Sequence, residues 1–288
     1  MTDKKLGFVG GGRVTRILLG GFKKAGCWPR GCVVSEPNQN TAAALARDFP
    51  DLVVSRADCA APGTQDIVFG ALHPPALRGM LPELARRLRP DSIFVSLAPK
   101  LTLDQLTQGL GGFRRVVRMI PNAPSIVGHG FNPVVFSSCL EDGEQRELQQ
   151  LFGALGECPT VEESLLEAYA IITGMGPTYL WFQYREIVEL GVSFGLGRQS
   201  AEEAVFRMAE GAARTMFLSG LPPETVMDLV PLRPLAERES VIRDSYRSLL
   251  PSLFEKLTRG PGLAGDVAPT SPKQASPPSL SQHREPKP

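Results

Sequence analysis

Residues 6–15 read Leu-Gly-Phe-Val-Gly-Gly-Gly-Arg-Val-Thr. Leu6, Phe8 and Val9 form a short apolar run that predicts a buried strand, and Gly10, Gly12 and Thr15 follow at GxGxxT spacing. Val14, Ile17, Leu18, Phe22 and Ala25 then recur at helical spacing up to Gly26, a residue suited to ending a helix. Strand, glycine turn and helix in that order form the context in which a helix N-terminus receives the pyrophosphate of a dinucleotide. Gly10 permits the tight turn, and Gly12 lets the backbone approach the phosphates. The third position usually holds Gly or Ala so that helix and strand pack closely, and Thr15 is bulkier than either.

The alternation continues downstream. Strands are predicted at 32–35, 52–55, 66–72, 92–97, 116–120 and 134–137, with helices at 40–49, 77–88 and 144–155. Strands alternating with short helices imply an α/β fold with a doubly wound parallel sheet of the Rossmann type. Ligands of such sheets bind at the carboxyl edge, which brings His73, Pro74, Ala98 and Pro99 toward the cleft of the glycine loop. Glu36 ends the second predicted strand. A carboxylate there accepts hydrogen bonds from adenosine ribose hydroxyls and repels the 2′-phosphate of NADP. Pro37 follows in place of an arginine that would receive that phosphate, so the cofactor reading favours NAD over NADP.

From Glu162 the strand pattern gives way to amphipathic helices. They are predicted at 168–173, 179–195, from a capping box Ser200-x-x-Glu203 to Gly220, and at 236–257, where Pro251 should kink or divide the helix. Three regions result: a dinucleotide-binding domain at 1–160, a helical dimerisation and substrate domain at 161–260, and a Pro/Ser-rich tail at 261–288. The tail is too poor in large apolar residues to offset its ordering entropy and is expected to be disordered.

Composition removes several function classes. Against 31 basic side chains stand 30 acidic ones, so no excess charge points to nucleic acid or an acidic membrane. No apolar run approaches the roughly 18–20 residues of a membrane span, and residues 1–10 carry no secretory h-region. The 5 cysteines contain no CxxC, and His73, His129 and His283 form no metal-ligand cluster, so no metal is expected. Scattered reduced thiols fit a cytoplasmic protein.

Four blocks together resemble the pyrroline-5-carboxylate reductase family. Residues 7–26 resemble its opening strand, glycine loop and helix. Leu72-His73-Pro74 stands where the family usually has Val-Lys-Pro. Arg118-Met119-Ile120-Pro121-Asn122-Ala123-Pro124 with Val127-Gly128-His129-Gly130 resembles its RxMPNTPxxVGxG block, and Thr173-Gly174-Met175-Gly176-Pro177-Thr178-Tyr179 its SGSGPAY block. The resemblance spans about residues 6–230 and implies a Rossmann domain followed by an all-α domain that interlocks with a second copy into a homodimer. It implies hydride transfer between a nicotinamide cofactor, NAD or NADP, and a small cyclic imine or related carbonyl. Carried over by position, Gly10, Gly12, Arg13 and Val14 lie along the pyrophosphate and Glu36 meets the ribose. Ala71, His73, Pro74, Leu97 and Ala98 border the cofactor. Asn122 and Gly174, Met175, Gly176 and Pro177 shape the substrate side. No residue is singled out as catalytic, because reduction of a protonated C=N needs little acid catalysis.

One block departs from the family. Where relatives carry an SPGGTT-like loop that holds the substrate carboxylate and imine, residues 228–235 read Asp-Leu-Val-Pro-Leu-Arg-Pro-Leu. Arg233 is the candidate replacement, its guanidinium fork suited to a carboxylate. Loss of that loop with retention of the glycine turn also suits a non-catalytic NAD(P)-binding sensor or scaffold. A β-hydroxyacid-dehydrogenase-like enzyme shares the layout but needs a catalytic lysine in its helical domain, and residues 165–227 contain none.

Overall fold

The structure, a computed structural model, describes residues 4–29, 31–56 and 59–259. Strand β1 (Leu6–Val9) leads through the glycine turn into helix α1 (Arg13–Lys24). β2 (Val33–Ser35), α2 (Gln39–Asp48), β3 (Val53–Ser55) and the single turn α3 (Ala60–Gly63) follow. β4 (Ile67–Gly70), α4 (Pro74–Ala85), β5 (Ile93–Ser96), α5 (Leu103–Gly109) and β6 (Val116–Met119) form the second half. After a 3₁₀ segment, Ala123–Val127, come β7 (Gly130–Phe131), β8 (Val134–Phe136), α6 (Asp142–Gly153) and β9 (Gly156–Glu157).

Among the described residues the main sheet has seven strands in the order β3-β2-β1-β4-β5-β6-β8. All neighbours are parallel except β6 and β8. The chain winds outward from β1 to β3, returns to β4 beside β1, and winds outward again. The crevice of a doubly wound sheet lies at that reversal, beyond the carboxyl ends of β1 and β4. Both faces of the sheet are covered, so its strands are apolar throughout. Phe8, Phe69 and Val95 enter one core with Leu18, Phe22 and Phe152. Their neighbours Val9, Val68 and Phe94 enter the other with Leu77, Leu81 and Leu84.

Thr15 is fully buried, and its hydroxyl donates to the Gly10 carbonyl at 2.6 Å. The larger third residue of the glycine motif is therefore used: it ties the first turn of α1 back to the loop that precedes it. Thr15→Val keeps the shape and removes the donor. It should destabilise the fold by about 1–3 kcal/mol, the cost of an unmade buried hydrogen bond. A urea midpoint unchanged from wild type would show that the hydroxyl contributes nothing.

The helical part comprises α7 (Leu166–Tyr169), a π-helical turn at Ala170–Gly174, α8 (Pro177–Ser193), α9 (Arg198–Leu218), α10 (Pro223–Met227) and α11 (Glu239–Thr258). The break expected after Thr173 is present but shorter: the π-helical turn runs to Gly174, with Met175 N donating to Ala170 O at 3.0 Å, and α8 starts at Pro177. The capping box at Ser200 does not form: α9 starts at Arg198 behind Gly197, and Glu203 pairs with Arg207 at 2.7 Å. Of the kink or division expected at Pro251, division does not occur: α11 runs unbroken from Glu239 to Thr258 with Pro251 exposed on it. Helix α4 also begins earlier than residue 77, because Pro74 supplies a preset φ at the first helical position.

Residues up to Thr258 form one compact unit. The expected disordered tail at 261–288 lies outside the described residues. Among the described residues no helix is long and apolar enough to cross a membrane, and no cluster of metal-ligating side chains occurs.

Candidate dinucleotide and substrate cleft

At the carboxyl end of β1 the chain turns at Gly10, whose φ of 103° lies in the region open to glycine. A side chain there would meet the Ala71 carbonyl at 2.6 Å. Gly10 N donates to Ser35 O at 3.0 Å, which draws the turn toward the end of β2. There Glu36 is 9 % exposed, and its carboxylate accepts from Gly11 N at 3.0 Å and from Asn38 N at 2.8 Å. Gly11 must be glycine because a Cβ would fall 2.5 Å from Leu45 and 2.9 Å from Glu36. Gly12 is the opposite case: a Cβ there meets nothing within 4 Å. It begins α1 with no side-chain cap and no acidic residue in the first turn. The helix thus offers open space and uncapped backbone donors to an anion. Arg13 is exposed beside it, and Val14 is half-buried against the core.

The neighbouring strand ends complete one edge. Ala71 N donates to Val9 O at 2.9 Å and Leu97 N to Gly70 O at 3.2 Å. His73 is exposed at the N-cap of α4, followed by Pro74. Leu97 and Ala98 are only 8 % and 2 % exposed, so they support the edge from beneath.

Beyond the sheet, two buried polar clusters join the cleft to the helical part. In the first, Arg118 of β6 is 1 % exposed. Its Nη1 donates to Glu163 Oε1 at 2.8 Å and its Nη2 to Glu167 Oε1 at 2.5 Å. The same carboxylates take backbone donors from the loop after β5: Lys100 N to Glu167 at 3.1 Å and Leu103 N to Glu163 at 2.7 Å. In the second, Asn122 accepts from Phe131 N at 3.1 Å and donates to Thr173 O at 3.3 Å. Asn132 accepts from Asn122 N at 3.0 Å and from Ser125 Oγ at 2.8 Å. The Asn122 amide is therefore engaged in holding the turn at 173–177, and it acts on that turn from behind. Gly174, Met175, Gly176 and Pro177 are half-buried. The π-helical turn frees carbonyls, and Tyr179 Oη donates to one of them, Ile171 O, at 2.7 Å. Such turns are frequent at functional sites. Glu163, Glu167 and Asn132 had no place among the residues singled out from the sequence, and Arg118 stood there only as the first residue of a family-like block, without a role. The signal available was a charged residue inside an apolar strand, which demands a buried partner.

Two family descriptions match the chain. NADP oxidoreductase coenzyme F420-dependent matches residues 5–100, and pyrroline-5-carboxylate reductase dimerisation matches residues 163–231. The pyrroline-5-carboxylate reductase of Escherichia coli is 28% identical over 231 residues, 79% of this chain and 85% of that protein. That of Pseudomonas aeruginosa is 27% identical over 258 residues, 89% of this chain and 93% of that protein. The crystal structure of Plasmodium falciparum pyrroline carboxylate reductase with NADP bound shares the fold: TM-score 0.74 at 19% identity, over 89% of this chain and 96% of that one. In both parts, and over most of its length, the chain is similar to pyrroline-5-carboxylate reductases.

The family match ends at Pro231, inside the block that departs from the family's loop. There the structure pairs Arg233 with Glu239, which also receives Arg243 at 3.4 Å. The Arg233 guanidinium holds the Glu239 carboxyl below the usual glutamate range by hydrogen bonding. Both arginines line an open depression of about 670 Å³ together with Glu224, Asp228 and Glu239. Three carboxylates against two guanidiniums give this depression no positive excess. Among the described hydrogen bonds, none joins Arg233 to Asn122 or to the turn at 173–177.

Proposed function

We propose that this chain is a member of the pyrroline-5-carboxylate reductase family and an NAD(P)-dependent reductase acting on the C=N bond of a small cyclic imine. The observation that carries the reading is the open space at Gly12 before an uncapped α1, at the reversal of a doubly wound sheet, in a chain whose sheet part matches an NADP oxidoreductase description and whose helical part matches pyrroline-5-carboxylate reductase dimerisation. The nicotinamide cofactor, when bound, supplies the hydride. This chain's residues hold and orient it. Gly10, Gly12, Arg13 and Val14 take the pyrophosphate, Glu36 the adenosine ribose, and Ala71, His73 and Pro74 the next stretch, over Leu97 and Ala98. Gly174–Pro177 borders the substrate, with Asn122 fixing the turn behind it. The domain division at about residue 160 follows the same line, and free thiols at all five cysteines suit a reducing cytoplasm. The direct test is oxidation of reduced cofactor by the purified chain in the presence of cyclic imines. Absence of turnover with every imine offered, beside tight cofactor binding, would favour a sensor or scaffold.

The cofactor is proposed to be NAD. Glu36 keeps two lone-pair directions beyond those given to Gly11 N and Asn38 N, and its negative charge opposes a 2′-phosphate. NADH should bind at least tenfold more tightly than NADPH, about 1.4 kcal/mol, in a fluorescence titration of each. Equal or tighter NADPH binding would remove Glu36 from this role.

The helical part is proposed to form a homodimer. Among the described residues before 160 the large apolar side chains left exposed are Val53, Ile126 and Val127, whereas after it they crowd α8, α9 and α11. Phe194, Phe217 and Leu232 are 81 %, 80 % and 78 % exposed. Apolar surface on that scale marks an interface. Light scattering at micromolar concentration should give twice the chain mass, and a monomer would overturn the assignment.

A further inference from the structure

Lys100 has a φ of 71°, and among the described residues it alone, apart from glycines, has positive φ. An unbranched side chain in the left-handed region is strained, and such strain persists only where the surroundings over-determine it. The surroundings here are specific. Lys100 N donates to Glu167 Oε1, Leu103 N donates to Glu163 Oε1, and both carboxylates are held by the buried Arg118 guanidinium. The strained residue stands two positions after Ala98, on the edge where Leu97 N meets Gly70 O and Ala71 O lies against Gly10. We infer that Glu167, anchored by Arg118, is a positioning residue that holds the backbone of Lys100 left-handed and so fixes the loop after β5 along the cofactor edge of the cleft. The inference rests on the proposed cofactor cleft and adds to it a device made of one β6 arginine, one α7 carboxylate and one backbone conformation.

Two substitutions separate backbone from side chain. Lys100→Gly and Lys100→Val both remove the ammonium, but only glycine tolerates the left-handed region. With the better bound of NADH and NADPH as probe, the full chain carrying Lys100→Gly should bind within about twofold of wild type, and Lys100→Val roughly tenfold more weakly. Glu167→Ala, which removes the acceptor, should weaken binding by a similar factor, and adding Lys100→Gly to it should restore most of the loss, because glycine needs no carboxylate to hold its conformation. That rescue is a readout no general loss of stability produces, and it stands if Lys100→Val does not fold. Equal weakening by Lys100→Gly and Lys100→Val, or no rescue in the double variant, would overturn the latch while leaving the cofactor reading intact. A wild-type chain that binds neither cofactor would overturn both.

Discussion

Arg118→Ala should lower the stability of the fold by about 3–5 kcal/mol, the range for removing one partner of a buried ion pair. The side chain is nearly inaccessible, and Glu167 beside it is nearly so. Glu163 is one-third exposed and recovers some hydration, which places the loss nearer the lower figure. Exchanging the whole cluster for apolar residues is often neutral for isolated buried pairs. It should not be neutral here, since Lys100 N and Leu103 N also depend on these carboxylates. Arg118→Lys keeps the charge but loses the fork that reaches both glutamates, and an intermediate loss is expected. Urea denaturation measures all three variants. A loss below about 1 kcal/mol for alanine, the worth of an exposed pair, would show that the cluster relaxes to solvent.

That cluster also shows where sequence reading stops. The sheet was legible because each strand is a local apolar run and the glycine turn announces its own helix. Arg118 sits inside such a run, and the groups that make its burial tolerable lie 45 and 49 positions further on. Nothing in local periodicity connects them. The two-residue strands β7 and β9 are set by the Asn122–Asn132 network and by the contact of Gly130 with Gly156, and no two-residue pattern announces them. The left-handed lysine is equally invisible, because its sequence neighbours do not impose it. Ser200-x-x-Glu203 shows the converse error: the text of a capping box was present, but Gly197 starts the helix one turn earlier. The proposed cofactor residues rest on local signals, glycine spacing and a strand-end carboxylate, and the structure brings Gly10, Gly11 and Glu36 together at the ends of β1 and β2. The proposed substrate residues carry no such local signal for their partners: Asn122 is engaged by backbone groups of Phe131 and Thr173, and Arg233 by Glu239.

The departure at 229–235 sets the second large expectation. Resemblance to the family implies that relatives hold a substrate carboxylate with hydroxyls and backbone amides of a loop rich in Ser, Thr and Gly. Here the segment is Leu-Val-Pro-Leu-Arg-Pro-Leu, whose two prolines have no N–H to give. Its arginine is matched by Glu239, with Glu224 and Asp228 lining the same depression. A carboxylate would find no surplus positive charge there. Charge-assisted hydrogen bonds contribute roughly 1.5–3 kcal/mol each. Losing two of them raises the barrier by about 3–6 kcal/mol, a factor on the order of 10² to 10⁴ in rate. The specificity constant for steady-state reduction of pyrroline-5-carboxylate should therefore fall well below about 10⁴ M⁻¹s⁻¹ with either cofactor. The unsubstituted 1-pyrroline ring, which needs no carboxylate receptor, should be reduced at least as well. Arg233→Ala should leave the ratio of the two within about threefold, because an exposed arginine already paired with glutamate has little to lose. A specificity constant for the carboxylate-bearing imine at or above about 10⁴ M⁻¹s⁻¹ would show that another segment supplies the missing donors. A large fall of that value alone in Arg233→Ala would name Arg233 as their source.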